Sequence, residues 1–473
     1  MSLTASLNKA MIGLTLQSRR AEVLSSNVAS ADTPGYARRS VVSDGSVRGT
    51  ATVREVDPAL QQLRRDASAD TAGASVAQGF AARLDQVIGD PDRPGSLQAL
   101  LARFDAALTV AAADPAAPNG LIAASNAAAD LVDAVTGLAD TVTRARQTAE
   151  GQLADAVAQL NGDLKQVADL NAWIRRLEVL GGDASSLRDR RGVLVDRVAE
   201  AVPLRQLPRS DGSVALVSKG GVILLDGSPA EVEFDARPFV APDFAYPGDL
   251  SGLSVKGRPV GTSQPGDGLA GGSLGALFTL RDEAAPRAMA RLDAFAQELA
   301  GRFQDPAADP SLGAGEAGLF SDAGARVAVA PLAGLAGRLE LNGLLAADGP
   351  DRLRAGFGTG PQEPATSNAQ LLRFSDALSA RTTPFSAVLG TAPTDLSGLG
   401  GRLRSAISSE RVQADDAVET SRISSERLIA LRDGAAVDID TEMQRLLQVE
   451  QAYAANARLI QAVGQMMDRI TEI

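Results

Sequence analysis

From Ile439 to Ile473 the apolar positions keep a seven-residue beat. Leu446, Tyr453, Ile460 and Met467 recur every seven residues, and Val449, Asn456, Val463 and Ile470 follow each of them by three. Arg445, Gln448, Gln451, Arg458, Gln461, Gln465 and Asp468 fall between them. This 3-4 alternation turns one stripe of a helix toward one partner, so it predicts a coiled-coil helix about 50 Å long, with Asp440 as its N-cap. Such a helix exposes a greasy seam and needs company. The first thirty residues offer it. Leu3, Ala10 and Leu24 share a seven-residue register, flanked by Leu7, Leu14, Ala21 and Val28, with Gln17 as the lapse. The two ends of the chain therefore read either as two strands of one coiled coil, with everything from about residue 40 to 435 inserted between them, or as ordinary core helices of one large domain.

Inside that insertion the period is mostly helical. Residues 96–113 form an amphipathic pattern capped by Ser96, with Leu97, Leu100, Leu101, Phe104 and Leu108 on one face. A far longer pattern runs from Asn119 to Leu180, carrying Leu153, Val157, Leu160, Leu164, Val167, Leu170, Ile174 and Leu177 at 3–4 spacing. Gly137, Gly151 and Gly162 mark places where it could bend, and Trp173 beside the stripe is expected to pack. After Gly181-Gly182-Asp183, the run Ser186-Leu187-Arg188-Asp189 reads as a capping box for a short helix that stops before Pro203. From Leu204 to Phe234 the period drops to two. Val214–Val217, Val222–Leu225 and Val232–Phe234 are separated by Gly-containing turns, which predicts a self-contained β-meander. A helical stripe resumes at Leu292, Phe295, Leu299 and Phe303, after a kink expected at Pro286. Residues 306–395 read as irregular, with extended runs at Arg326–Ala330 and Arg338–Leu341, and a last helix covers Gly398–Arg432.

Composition narrows the function classes. There are 46 Lys+Arg against 58 Asp+Glu, a net charge of −12, which argues against nucleic acid or an anionic membrane as the main partner. Cysteine and histidine are both absent, which removes thiol and imidazole nucleophiles and the common zinc ligands together. No cofactor or metal site and no catalytic residue is expected. Gly356-Phe357-Gly358-Thr359-Gly360 lacks the strand–helix context of a dinucleotide fingerprint, Asp189 and Arg191 read as a cap and a solvated ion, and Asp415-Asp416 reads as solvated. The start of the chain shows no apolar secretory-signal core, and no uninterrupted apolar run reaches a membrane span, so export by a cleaved signal is not expected.

One stretch is more specific. In Ser25-Ser26-Asn27-Val28-Ala29-Ser30-Ala31-Asp32-Thr33-Pro34-Gly35-Tyr36, helix-disfavouring residues precede Pro34-Gly35, which fits the centre of a type II turn, and Tyr36 follows as an anchor. It resembles the S-x-N-I-A-N-x-x-T-P-G-Y motif of the flagellar axial proteins (rod, hook and hook-associated), with Ser30 where the family usually has Asn. At the other end, Asp440-Thr441-Glu442-Met443, Leu446-Leu447 and Gln451-Ala452-Tyr453-Ala454-Ala455-Asn456-Ala457 resemble that family's closing helix. Leu187, Asp189, Arg191, Leu194 and Val198 are similar to the L-x-D-x-R-x-x-L motif of the hook-associated branch, although Gly192 departs from its usual acidic residue. Gly271–Leu277 with Leu280-Arg281-Asp282 resembles the point where that branch re-enters its helical domain.

The resemblance implies a mainly α fold with an inserted β-rich domain: a terminal coiled-coil stem, an elongated helical bundle and a small β domain. The expected divisions are 1–40 and 437–473 for the two halves of the stem. Residues 41–202, 269–305 and 396–436 belong to the helical middle domain, 203–268 to the β-rich outer domain, and 306–395 to a variable segment. It implies a structural component of the bacterial flagellum, not an enzyme. Such a component is exported through the type III apparatus with a cytoplasmic chaperone, and polymerises in a ring or helical layer between the hook protein and a second junction protein. The assembly interface then falls on Leu3, Leu7, Leu14, Leu24, Asn27, Val28 and Thr33-Pro34-Gly35-Tyr36, together with the eight seam positions from Leu446 to Ile470. The alternatives are a rod or hook protein, whose middle would be mostly β, or a flagellum-tethered enzyme, for which no motif is present.

Overall fold

The computed structural model describes residues 3–43, 50–264, 266–328, 333–433 and 437–471. The chain opens with α1 (Leu3–Ala29) and closes with α13 (Ile439–Thr471). Asn27 meets Glu442 and Gly13 lies under Asn456, so the two terminal helices run antiparallel along each other. Next to α1 stands a hairpin inside the span expected for the stem and the helical middle domain: β1 (Arg39–Ser43) and β2 (Thr50–Arg54). Val41, Val42 and Val53 carry the β-branched signal that was available there.

The body is built on α4 (Pro118–Val179), one unbroken helix of 62 residues. Gly137, Gly151 and Gly162 do not interrupt it. A Cβ at any of the three would meet nothing within 4 Å, so these glycines lie on the open side while Leu131, Val135, Val142, Leu153, Leu164 and Ile174 are buried. By length and hydropathy one 18-residue window of α4 would suffice to cross a membrane. Here its stripe is covered by α3 (Leu97–Ala113), whose Ser96 cap accepts from the Ala99 amide, by α5 (Ser185–Ala201), and by two small sheets. α2 (Pro58–Ile88) pairs antiparallel with α12 (Leu396–Asp433), joined by Gln78 to Asp415 and Ser408 to Asp85. Asp415 therefore bridges Gln78 and Arg411 and is not simply solvated.

The first sheet runs β3 (Leu204–Pro208), β4 (Val214–Ser218), β5 (Ile223–Asp226), β6 (Ser228–Pro229), all antiparallel. The second runs β7 (Val232–Phe234), β8 (Leu253–Val255), β9 (Arg258–Val260). Both hang from α4 by the same device. The Asn171 amide pairs with the N–H and C=O of Val214, and the Asn161 amide with those of Val232, each side chain acting as one residue of a neighbouring strand. Val214, Leu216, Leu225, Val232 and Leu253 join the same apolar cluster as α4. The expectation of a self-contained meander is corrected here: one core runs through helices and sheets alike.

α6 (Gly272–Thr279) and α7 (Ala285–Phe303) are joined by a π-turn over Leu280–Ala284, where the Ala285 N–H reaches back to the Leu280 carbonyl. Pro286 has no N–H and its ring crowds the preceding turn, so the helix widens there instead of breaking. The turn aims Arg281, fully buried, at Glu150 of α4 at 2.6 Å. Arg281 also bonds Asp282 and the Ser251 carbonyl, and its guanidinium lies 4.9 Å from the Phe278 ring. Burial alone would depress this arginine, but its bonds to Asp282 and Glu150 outweigh that and raise it above the ordinary range.

The 306–395 region is more regular than its composition suggests. β10 (Phe320–Asp322) pairs with β11 (Leu339–Leu341), and the short helices α8 (Leu335–Arg338), α9 (Leu344–Asp348) and α10 (Arg352–Ala355) precede α11 (Ala369–Ser379). Of the two extended runs expected there, the second begins one residue late because Arg338 closes α8. In the first, Val329 and Ala330 lie outside the described residues. Leu371, Phe374 and Leu378 of α11 sit on an aromatic core with Phe104, Phe303 and Phe320. The glycine-rich run 356–360 wraps Asp309 and Ser311, which accept from the Phe357 and Gly358 amides.

Three further expectations are corrected. Asp438, not Asp440, caps α13, accepting from the Asp440 amide and the Thr441 hydroxyl. The Ser186–Asp189 capping box does not form: Asp183 accepts from the Ser185 amide, and Asp189 turns elsewhere. Trp173 is 55% exposed, because it lies on the outer side of the α4 tip.

Removing one partner of a buried ion pair leaves the other charge uncompensated. Arg281→Met is expected to cost about 3–5 kcal/mol in urea unfolding followed by helical circular dichroism. A midpoint equal to wild type would contradict the role given to this pair.

Candidate assembly interface

The terminal helices meet at a buried carboxylate. Glu442, 1% exposed, accepts from the Asn27 amide at 2.8 Å, from Arg38 Nε at 2.9 Å and from Arg445 Nη1 at 2.8 Å. Asn27 is itself fully buried, and every arm of its side chain is used. Its Oδ1 accepts from the Tyr36 hydroxyl at 2.8 Å and from the Arg39 amide at 3.0 Å, and its Nδ2 also donates to the Arg39 carbonyl at 2.9 Å. Arg38 in turn reaches Glu55 on the far side of the hairpin. Burial would lower the Arg38 pKa, but the hydrogen bond and charge of Glu442 overcome it and raise it.

The turn that feeds this clasp has the expected geometry. The Tyr36 N–H bonds the Thr33 carbonyl at 3.1 Å across Pro34-Gly35, and Gly35 has φ +80°, as the third residue of a type II turn requires. A Cβ at Gly35 would fall 2.4 Å from Val193 Cγ2, so the turn is also seated against α5. The motif residues Thr33, Pro34, Gly35 and Tyr36 thus meet the Leu187–Val198 motif of the body. There Asp189 accepts from Arg39 Nη2 at 2.8 Å and from Arg54 Nη2 at 2.6 Å. Arg191, expected solvated, is buried and donates to Asn171 Oδ1 and the Gly212 carbonyl. Desolvation, aided by the charges of Arg188 and Arg54, brings its pKa down to about 10.

Along the stem, Leu24, Val449 and Val463 are buried, while Leu7, Leu14, Val28, Leu446, Asn456 and Ile460 are half-covered. A Cβ on Gly13 would come 2.9 Å from the Asn456 amide, so the one polar seam residue lies where α1 is thinnest. Tyr453 and Met467, in register with Leu446 and Ile460, remain 43% and 42% exposed because a single partner helix covers only one flank. Met11, Met443, Leu447, Leu459 and Met466 are exposed as well. The side chains of Leu3 and Ile470 lie outside the described residues.

Sequence reasoning gives no role to Arg38, Arg39 or Arg54 and names Glu442 only within the closing-helix motif. The signal for Glu442 was present: it stands seven residues before Val449, on the seam register, where a charge demands a partner. Replacing it leaves Arg38 and Asn27 facing an empty site. Glu442→Ala is expected to destabilise the start of α13 by about 2–3 kcal/mol, read as faster amide exchange over residues 439–449, with α4 unchanged. Equal exchange in variant and wild type would contradict the clasp.

The family model of the flagellar hook-associated protein FlgK helical domain matches residues 81–309. The model of the C-terminal part of the flagellar basal body rod FlgEFG proteins matches 433–473, and that of the flagella basal body rod protein matches 7–36. Flagellar hook-associated protein 1 of Salmonella typhimurium strain LT2 is 25% identical over 294 residues, covering 59% of this chain and 52% of the relative. The protein of that name in Bacillus subtilis strain 168 is 23% identical over 370 residues, covering 70% and 67%. The chain thus spans about half the length of the Salmonella relative that it matches. Among solved structures, the flagellar hook junction protein FlgK from Burkholderia pseudomallei matches 55% of this chain and 46% of its own, at 23% identity and a TM-score of 0.44. The helical middle of the chain is thus similar to the flagellar hook-associated protein FlgK helical domain, and its two ends to flagellar rod-type proteins.

Proposed function

We propose that this chain is a structural subunit of the bacterial flagellum that polymerises between hook and filament through its terminal helices. The observation that carries the proposal is the half-covered stem. Two antiparallel helices bury Val449 and Val463 between them but leave Tyr453, Met467 and the other exposed apolar side chains facing out. At ~25 cal/mol per Å2 of apolar area, covering such a flank with neighbouring helices contributes many kcal/mol per subunit, enough to hold a repeated layer. A row of apolar side chains left exposed along a stem suits an interaction surface.

In this reading the stem forms the inner layer, the α2–α7 and α12 body the middle, and the two small sheets the outer face. Export through the type III apparatus with a chaperone, and contact with the hook protein and a second junction protein, belong to the same proposal by family likeness. A rod or hook protein is the weaker reading, since the match over 81–309 is to the hook-associated helical domain. A catalytic role is weaker still: buried Arg281 pairs with Glu150, and buried Arg302 with Glu298.

Tyr453→Asp separates assembly from folding. In the free chain the residue is exposed enough for a carboxylate to stay hydrated, whereas between packed helices it would be buried without a partner. The expected outcome is an unchanged melting curve for the purified chain, with cells that secrete the variant, build hooks and shed filament protein into the medium. Normal swimming would refute the proposal.

A further inference from the structure

The hairpin carries an unfavourable pairing of like charges. In its register Arg39 stands directly opposite Arg54, two cations on neighbouring strands. Like charges placed so are destabilising, and here both are largely withdrawn from water, with side-chain exposures of 13% and 17%. The carboxylate that answers both of them lies outside the stem. Asp189, on α5 of the body, gives one carboxylate oxygen to each arginine.

Arg39 faces two ways. Its side chain goes to the body, and its guanidinium carbon also lies 4.8 Å from the centroid of the Tyr36 ring. Its own N–H and C=O are both held by the Asn27 amide, the group that bonds Glu442 of α13. One residue therefore ties the docking of the body to the meeting of the two chain ends.

We propose that Asp189 is the key of a latch: it neutralises the paired cations Arg39 and Arg54, locks the hairpin shut, and through Arg39 couples seating of the body to closure of the Asn27–Glu442 clasp. With the body seated, the hairpin holds the stem in one orientation. With Asp189 withdrawn, the opposed arginines push the strands apart, the grip of Asn27 on Arg39 loosens, and the start of α13 is released. The inference is independent of what the stem assembles with.

Hydrogen exchange on the full-length chain tests it, with helical circular dichroism as the folding control. D189N is expected to speed exchange of residues 39–43 and 50–54 by roughly tenfold, and the change should extend to residues 439–446. D189N combined with R54Q removes the repulsion as well as the key, and should recover most of that protection. A passive packing role for Asp189 predicts no recovery. Unchanged exchange in D189N, a change confined to α5, or a double variant worse than D189N would each overturn the latch. Should D189N lose its helical signal, R54Q alone carries the test: Asp189 keeps Arg39, the opposing cation is gone, and hairpin exchange should stay within about threefold of wild type. A larger rise would show that Arg54 acts otherwise and would overturn the proposal.

Discussion

A carboxylate withdrawn from water must be answered on every side, and Glu442 is answered by residues from the opposite end of the chain. That requirement fixes much of the architecture. Asn27 has to end α1 at the level where α13 begins, so the helices run antiparallel and in one register. Tyr36 has to come back to Asn27, so the chain must reverse within nine residues, which Pro34-Gly35 allows. Arg38 has to stand on the strand side of that reversal, which starts the hairpin beside the helix pair. A chain inserted between such ends is free to be long, because loop closure costs grow only slowly with length.

The body solves a different problem. A helix as long as α4 cannot bury its stripe against one neighbour, so it is covered in stages by α3, the two sheets and α5. Where a strand meets a helix flank, the backbone groups at that edge have no natural partner. Asn161 and Asn171 supply both a donor and an acceptor at the two places where they are needed. The stem lacks such cover: its seam is half-satisfied within one chain. That contrast separates a part whose apolar faces are covered on folding from a part whose seam stays half exposed.

Periodicity made the helices legible. The ends of α3, α4 and α12 fall within a few residues of the positions read from apolar spacing, and β4, β5 and β7 were visible as a change of period, whereas β3 was not singled out. The turn at Thr33–Tyr36 was legible because proline and glycine restrict the backbone in a way few residues do. What escaped were features decided by distant partners. Asp189 and Arg191 look like a cap and a surface ion locally, yet both are held by groups far away in sequence. Trp173 looks like core by composition but faces away from the elements that bury Asn171 and Ile174 beside it. α11 was hidden in a Gly- and Pro-rich stretch, because only Leu371, Phe374 and Leu378 carry its short period.

The central claim is that the two ends of the chain form one antiparallel stem within a single subunit. The chain has no cysteine, so a pair introduced at Gly13 and Asn456 reports on that contact without background. Oxidation of the dilute, purified G13C/N456C chain should give an intrachain disulfide whose yield does not depend on protein concentration. No bond, or a bond that forms only between chains, would contradict the stem described here.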